Sequence, residues 1–185
     1  MAEILFIEPE RFKTSQWSGG VTTELFIRPE GASYAERRFD FRISTALVEL
    51  ERSEFTHLPG VKRFLTPLGE HGFTLVINGA ESVKLNKGGV LCFDGADEVT
   101  CFGSGRDLNL MLKGKDGDMR FVEAGASVWV GKAEYVFVYA VDNAFVSLCD
   151  GQGSCSMALG AGGFARLAGS GCLNASGRLV LFTIY

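Results

Sequence analysis

Three pairs of polar residues, each two positions apart within an apolar run, are the residues of this chain best placed to do chemistry. They are Thr22 with Glu24, Arg42 with Ser44, and Asp107 with Asn109. On a β-strand, residues i and i+2 point to the same face. Each pair can therefore present two hydrogen-bonding groups on one side while the other side stays apolar. A guanidinium offers a rigid donor fork that suits a carboxylate, and it keeps its charge at any relevant pH. Arg42, and Arg63 at the end of LPGVKR, are accordingly candidate clamps for an anionic small molecule. Glu24 and Asp107 could receive an ammonium or amide of the same ligand, and Asn109 can donate and accept at once. Thr22 and Ser44 add hydroxyl contacts. Trp17, just ahead of Gly19 and Gly20, is a candidate aromatic wall, the glycines allowing backbone to approach a ligand.

Each of these residues also has a plainer reading. Arg42 can pair with Glu24 or Asp107 in a structural network, the carboxylates can sit on the solvated side of two amphipathic strands, and Trp17 can be a core residue beside a tight turn. An enzymatic reading makes Glu24 or Asp107 the proton carrier of a metal-independent isomerase or lyase. A third reading is a structural module that self-associates through its sheet faces, as a homodimer, with no residue marking the interface.

The elements that must position these groups are strands. Phe39, Phe41 and Ile43 alternate with Asp40, Arg42 and Ser44; Phe73, Leu75 and Ile77 alternate with Thr74 and Val76; Val83 and Leu85 alternate with Ser82 and Lys84. Asn78-Gly79 between the last two runs is a hairpin signal, because both residue types tolerate positive φ. Further strands are predicted at 90–93, 97–102, 106–112, 127–130, 134–141 and 144–149, followed by a Gly/Ser-rich loop and the closing strand GRLVLFTIY. The charge-rich run from Glu49 to Glu54 reads as a solvated loop. With 24 glycines and no capped amphipathic helix, the chain is all-β, a sandwich or barrel. KGKDGD, from Lys113 to Asp118, is the best internal boundary. It divides a motif-rich lobe (1–113) from a second β-rich lobe (114–185), the two expected to pack as one compact unit.

At 185 residues the chain buries roughly 70% of its unfolded surface and needs neither disulfide nor structural metal to fold. Its net charge is −4 with both signs interspersed; no basic stripe suited to nucleic acid appears. No apolar run is long enough to span a membrane, and the start MAEILFIEPERFK does not read as a signal peptide. Five cysteines without a CxxC pair imply reduced thiols and a cytoplasmic location. A metal site of the imidazole type needs about three converging ligands. The only histidines, His57 and His71, are both expected in loops, so no metal and no cofactor are expected. GAGGFA (Gly160 to Ala165) lacks the βαβ setting of a dinucleotide site, and Ser104 lacks the frame of a nucleophile elbow.

Taken in order, GGVTTEL, FDFRIS, LPGVKR and RDLNLM resemble motifs of the HutD/Ves family of cupin-like proteins. The similarity is dense from Trp17 to Lys113, includes PEGASYAERRF, and is weak beyond Gly114. It implies a two-lobed cupin-like β-sandwich or barrel, of the RmlC-like jelly-roll kind, usually without demonstrated enzyme activity. Some members are associated with histidine utilisation, which implies a ligand-binding regulator. Two departures stand out. The Trp-Lys-Asn-Gly-Gly-Gly run of many members is shortened to Trp17-Ser18-Gly19-Gly20, and Leu108 stands where a Phe is usual. The expected function is non-catalytic binding or sensing of a small polar or anionic metabolite, an amino-acid derivative being one such class.

Overall fold

The computed structural model describes residues 2–185. Among them are nineteen strands, one short 3-10 turn at Pro9–Arg11 and no α-helix. In chain order the strands begin with β1 (Glu3–Phe6), β2 (Lys13–Trp17), β3 (Gly20–Arg28), β4 (Phe41–Val48), β5 (Arg52–Glu54) and β6 (Lys62–Pro67). Then come β7 (Phe73–Ile77), β8 (Glu81–Leu85), β9 (Leu91–Asp94), β10 (Val99–Phe102), β11 (Gly105–Leu112) and β12 (Gly117–Val122). The last are β13 (Ser127–Val130), β14 (Tyr135–Ala140), β15 (Ala144–Cys149), β16 (Ser154–Leu159), β17 (Phe164–Ala168), β18 (Gly171–Ala175) and β19 (Leu179–Ile184).

The chain forms two compact units. One unit is Arg11–Lys115; the other is Asp116–Tyr185 together with the N-terminal segment ending at Glu10. The reason is β1, which pairs antiparallel with β17 from Glu3↔Ala168 to Phe6↔Ala165 and so takes the start of the chain out of the first lobe.

The Arg11–Lys115 unit holds a six-stranded sheet in the order β2-β3-β4-β11-β6-β9 and a four-stranded sheet, β5-β10-β7-β8. They share a core in which Val48 and Leu65 of the larger sheet meet Phe73, Leu75, Val99 and Cys101 of the smaller. The alternation read from Phe73 to Leu85 forms the β7–β8 pair, and Asn78 and Gly79 both take positive φ at its turn, 52° and 66°. The run Glu49–Glu54 is not all loop: residues 52–54 pair with β10 as an edge strand and bury Ser53.

In the other unit, sheets β1-β17-β14-β19-β12 and β13-β18-β15-β16 enclose a core of Val136, Val138, Leu167, Leu181, Val146, Leu148 and Leu173. The Gly/Ser-rich stretch after Cys149 is mostly strand, not loop, since it supplies β16, β17 and β18. Small residues there read as turn formers, yet their alternation with Met157, Leu159, Leu167 and Leu173 is what fills the core. No helix among the described residues is long and apolar enough to cross a membrane.

Candidate functional site

The register of the six-stranded sheet aligns the polar pairs in rows. Thr22, Ala46 and Asp107 stand opposite one another across β3, β4 and β11; Glu24, Ser44 and Asn109 form the next row. Arg42, Met111 and Arg63 form the third, with Phe93 of β9 beside Arg63. Opposed residues share a face, so the pairs converge on one side of the sheet, where a cavity of about 250 Å³ opens. Trp17, Thr22, Arg42, Ser44, Arg63, Asp107 and Asn109 line it. Glu24 does not; it sits on the same face and holds Arg42.

A β-bulge between Glu24 and Phe26 decides this arrangement. The extra residue shifts the alternation of β3 by one. Phe26 therefore turns to the opposite face, where it stacks on Phe41 with ring centroids 5.8 Å apart. Ile27 returns to the cavity side, opposite Arg42, and packs with Tyr34 in the cluster around Met111.

Both arginines are buried, Arg42 at 5% and Arg63 at 6% exposure. Arg42 Nε donates to Glu24 Oε2 at 2.8 Å and its Nη1 to Ser44 Oγ at 3.2 Å, while its guanidinium carbon lies 4.3 Å from the Tyr34 ring centre. Arg63 is less well satisfied. Its Nη1 donates to the Thr56 carbonyl at 3.2 Å, but its buried Nε has no hydrogen-bond partner. The guanidinium lies 5.1 Å from the Phe55 ring centre and 5.0 Å from that of Phe93. Burial lowers its pKa to about 10, so it is still charged at neutral pH.

Asp107 is 2% exposed. Its Oδ1 accepts from the Ala46 amide at 3.2 Å and from Asn109 Nδ2 at 2.7 Å. Burial raises its pKa to about 7, against the lowering influence of those bonds and of Arg63. Cys101, near Asp107, is pushed up to about 12 by burial and by that carboxylate, which disfavours its thiolate at neutral pH. The Trp17 indole forms a wall whose buried Nε1 lacks a partner. A Cβ on Gly19 would lie 2.1 Å from the Trp17 ring, so the ring occupies the space that only glycine leaves open.

Nine lining residues were not among those singled out from the sequence, and four of them bear on the arginines. Tyr34 comes from the loop after β3, Phe55 and Thr56 follow β5, and Met111 lies between Arg42 and Arg63 in the third row. Only Met111 carried a signal, being two residues beyond Asn109 on the same strand face. His57 bonds the Ala96 carbonyl through Nε2 at 2.8 Å, and neither histidine lines the cavity.

Two β-sandwich units built this way define a cupin-like protein. The HutD family model matches residues 9–179, and the chain belongs to that family. The match runs through the second unit, where similarity had read as weak. Similar solved structures include PA5104, a conserved protein of unknown function from Pseudomonas aeruginosa PAO1 (22% identity, TM-score 0.81, 98% of each chain covered). HutD from Pseudomonas fluorescens SBW25, from a formate condition, is 23% identical, with TM-score 0.79 and 98% of each chain covered. Bacillus subtilis oxalate decarboxylase, a protein with Mn(II) centres, shares the fold at 8% identity and TM-score 0.61, with 98% of this chain and 76% of that chain covered. No curated protein matches the chain.

The donor set here does not fit a resident cation of that kind. The cavity presents two guanidinium groups, two carboxylates and no imidazole: Asp107 is bonded by an amide and an asparagine, and Glu54 accepts from Arg52. Among the described residues no three His, Cys, Asp or Glu side chains converge as a metal site. Guanidinium groups are donors of the kind that suit a carboxylate.

Proposed function

We propose that this HutD-family cupin binds a small anionic metabolite without transforming it, in the cavity of the Arg11–Lys115 unit, and reports or buffers its level in the cytoplasm. The observation that carries this reading is Arg63, a buried cation whose Nε has no partner. A buried charge left partly unsatisfied is costly, and a carboxylate accepting from that fork removes the cost. Arg42 is already held by Glu24 and so is oriented in advance. Asp107, with its carboxyl pKa raised to about 7, acts on Arg63 electrostatically, but Arg63 Nε is left without an acceptor. The volume suits a metabolite of amino-acid size, with Thr22, Ser44 and Asn109 available to its polar groups and Trp17 to its apolar part.

The test is a thermal-shift and calorimetric series with formate, amino acids, N-acyl amino acids and sugar acids, against uncharged amides of the same acids. One carboxylate class should raise the midpoint in a concentration-dependent way in wild type and not in Arg63→Met. Equal shifts from acids and their amides would sink the proposal. A second reading, proton transfer, is favoured by the position of the Asp107 pKa near neutrality; Glu24 is engaged with Arg42 and is the weaker carrier. Turnover lost in Asp107→Asn with binding retained would establish it.

A further inference from the structure

In the sheet β13-β18-β15-β16, Val130, Leu173, Val146 and Leu148 point into the core. Alternation puts the residues between them on the opposite face. Across that face Trp129 stands opposite Cys172, Cys172 opposite Cys149, and Cys149 opposite Ser154. Trp129 is 70% exposed, both cysteines are partly exposed, and Cys172 Sγ donates to Asn174 Oδ1 at 3.8 Å. Two cysteines thus face each other directly on neighbouring antiparallel strands, within reach of a dissolved reagent. Cys155 cannot compete, because it is opposite Leu148, packs against the core and donates from Sγ to the Leu148 carbonyl.

Directly opposed residues of an antiparallel pair have Cα atoms about 4.5 or 5.5 Å apart, inside the span of about 4.4–6.8 Å that a disulfide bridges. Their Cβ atoms, about 4.5–5.5 Å apart, lie at the long edge of the relaxed range of about 3.5–4.5 Å. A bridge can close there, and it is of the kind that reduces readily. Cys149 ends β15 and Cys172 is second in β18, so small adjustments do not propagate through the sheet. The neighbouring Gly171 approaches so closely that a Cβ on it would lie 2.2 Å from the Cys149 carbonyl oxygen, which draws the two backbones together at this end.

We propose that Cys149 and Cys172 form a reversible thiol–disulfide modification site whose substrate is a small-molecule disulfide, RSSR. One cysteine thiolate attacks RSSR, forming a mixed disulfide and releasing RS⁻. The facing thiolate attacks the protein sulfur of that mixed disulfide, forms the Sγ–Sγ bond and expels the second RS⁻. Two protein thiols are oxidised, RSSR is reduced to two thiols, and the protons given up by the cysteines pass to the released thiolates. The bridge closes a loop containing β16 and β17, which restricts the unfolded chain and stabilises this unit when oxidised.

The full-length protein is equilibrated in glutathione buffers from fully reduced to fully oxidised, then alkylated, digested and mapped by mass spectrometry, with thermal midpoints read in parallel. The expected result is a Cys149–Cys172 peptide pair that appears with oxidation, disappears with reductant and raises the midpoint by several degrees. Cys155→Ser should leave it unchanged, and Cys149→Ser should instead hold glutathione on Cys172. Separate thiols, or glutathione on both cysteines, in fully oxidising buffer would overturn the proposal. So would a bridge from either cysteine to Cys155.

Discussion

Arg42 donates its Nε hydrogen to Glu24 Oε2 at 2.8 Å, joining β4 to β3 at the bulge, with the two side chains only 6% and 13% exposed. Register places Glu24 opposite Ser44, so the contact is a diagonal one on a single sheet face. On the proposed reading structure and binding share this pair, because the carboxylate that satisfies one edge of the guanidinium also fixes where the other edge points.

Breaking the pair from one side should be far worse than removing it whole. Glu24→Ala leaves Arg42 buried without its carboxylate, and a loss of about 3 kcal/mol is expected in urea denaturation. Replacing both, as Glu24→Leu with Arg42→Met, should recover most of that loss while abolishing the shift with any carboxylate. A double variant as unstable as Glu24→Ala would show that packing around the bulge, not the stranded charge, sets the cost.

Arg63 should behave in the opposite sense. Its aliphatic stem and flat head lie among Phe55 and Phe93, and its burial already lowers its pKa to about 10. Arg63→Met keeps the packing and removes the charge, so the ligand-free protein should be as stable as wild type or more so by about 1 kcal/mol. Carboxylate affinity should fall at least tenfold by calorimetry. A Lys at this position should restore little, having no planar fork to offer.

The contrast between these two arginines also marks what could be read from the sequence. Period-two alternation correctly grouped Thr22 with Glu24, Arg42 with Ser44, and Asp107 with Asn109, because strand faces are a local property. It could not place Glu24 behind Arg42 rather than at the cavity, since that depends on the register of β3 against β4. Nor could it bring in Tyr34, Phe55 and Thr56, which arrive from loops and from a different sheet. The strands β16 to β18 were hidden for another reason: they are short and bounded by Gly- and Ser-rich stretches at 151–153, 160–163 and 169–171, and turn chemistry outweighed the alternation between them. The β1–β17 pairing joins the two ends of the chain, and no local pattern announces a contact that distant.

Asp107 should impose a pH dependence on stability. Burial raises its pKa from 3.8 to about 7 in the folded protein. Between those values the unfolded chain has released a proton that the folded chain still holds. The slope of stability with pH is therefore negative: its contribution is fully present below about pH 4 and is lost as pH rises through about 7. Asp107→Asn should flatten this part of the profile, measured by urea midpoints from pH 5 to 8. Carboxylate affinity should weaken over the upper part of the same range, because the ionised side chain opposes an anion. A wild-type profile parallel to that of Asp107→Asn would mean the carboxyl is ionised throughout.

Gly19 and Gly20 separate the shape of the cavity wall from the stability of the sheet. A Cβ at Gly20 meets the Leu47 carbonyl oxygen at 1.9 Å, on a backbone with φ of +148° that side chains rarely adopt. Gly20→Ala should therefore cost about 2 kcal/mol or more through backbone strain. At Gly19 the obstacle is the Trp17 ring, 2.1 Å away, which can rotate aside while the backbone stays. Gly19→Ala should fold with a smaller loss but with Trp17 moved from its place in the cavity wall. Trp129 is exposed and constant in both proteins, so Trp129→Phe as the background lets fluorescence report Trp17 alone. A red-shifted emission with weakened carboxylate binding is expected for Gly19→Ala in that background. Unchanged emission together with unchanged binding would show that the indole is a core residue with no part in the site.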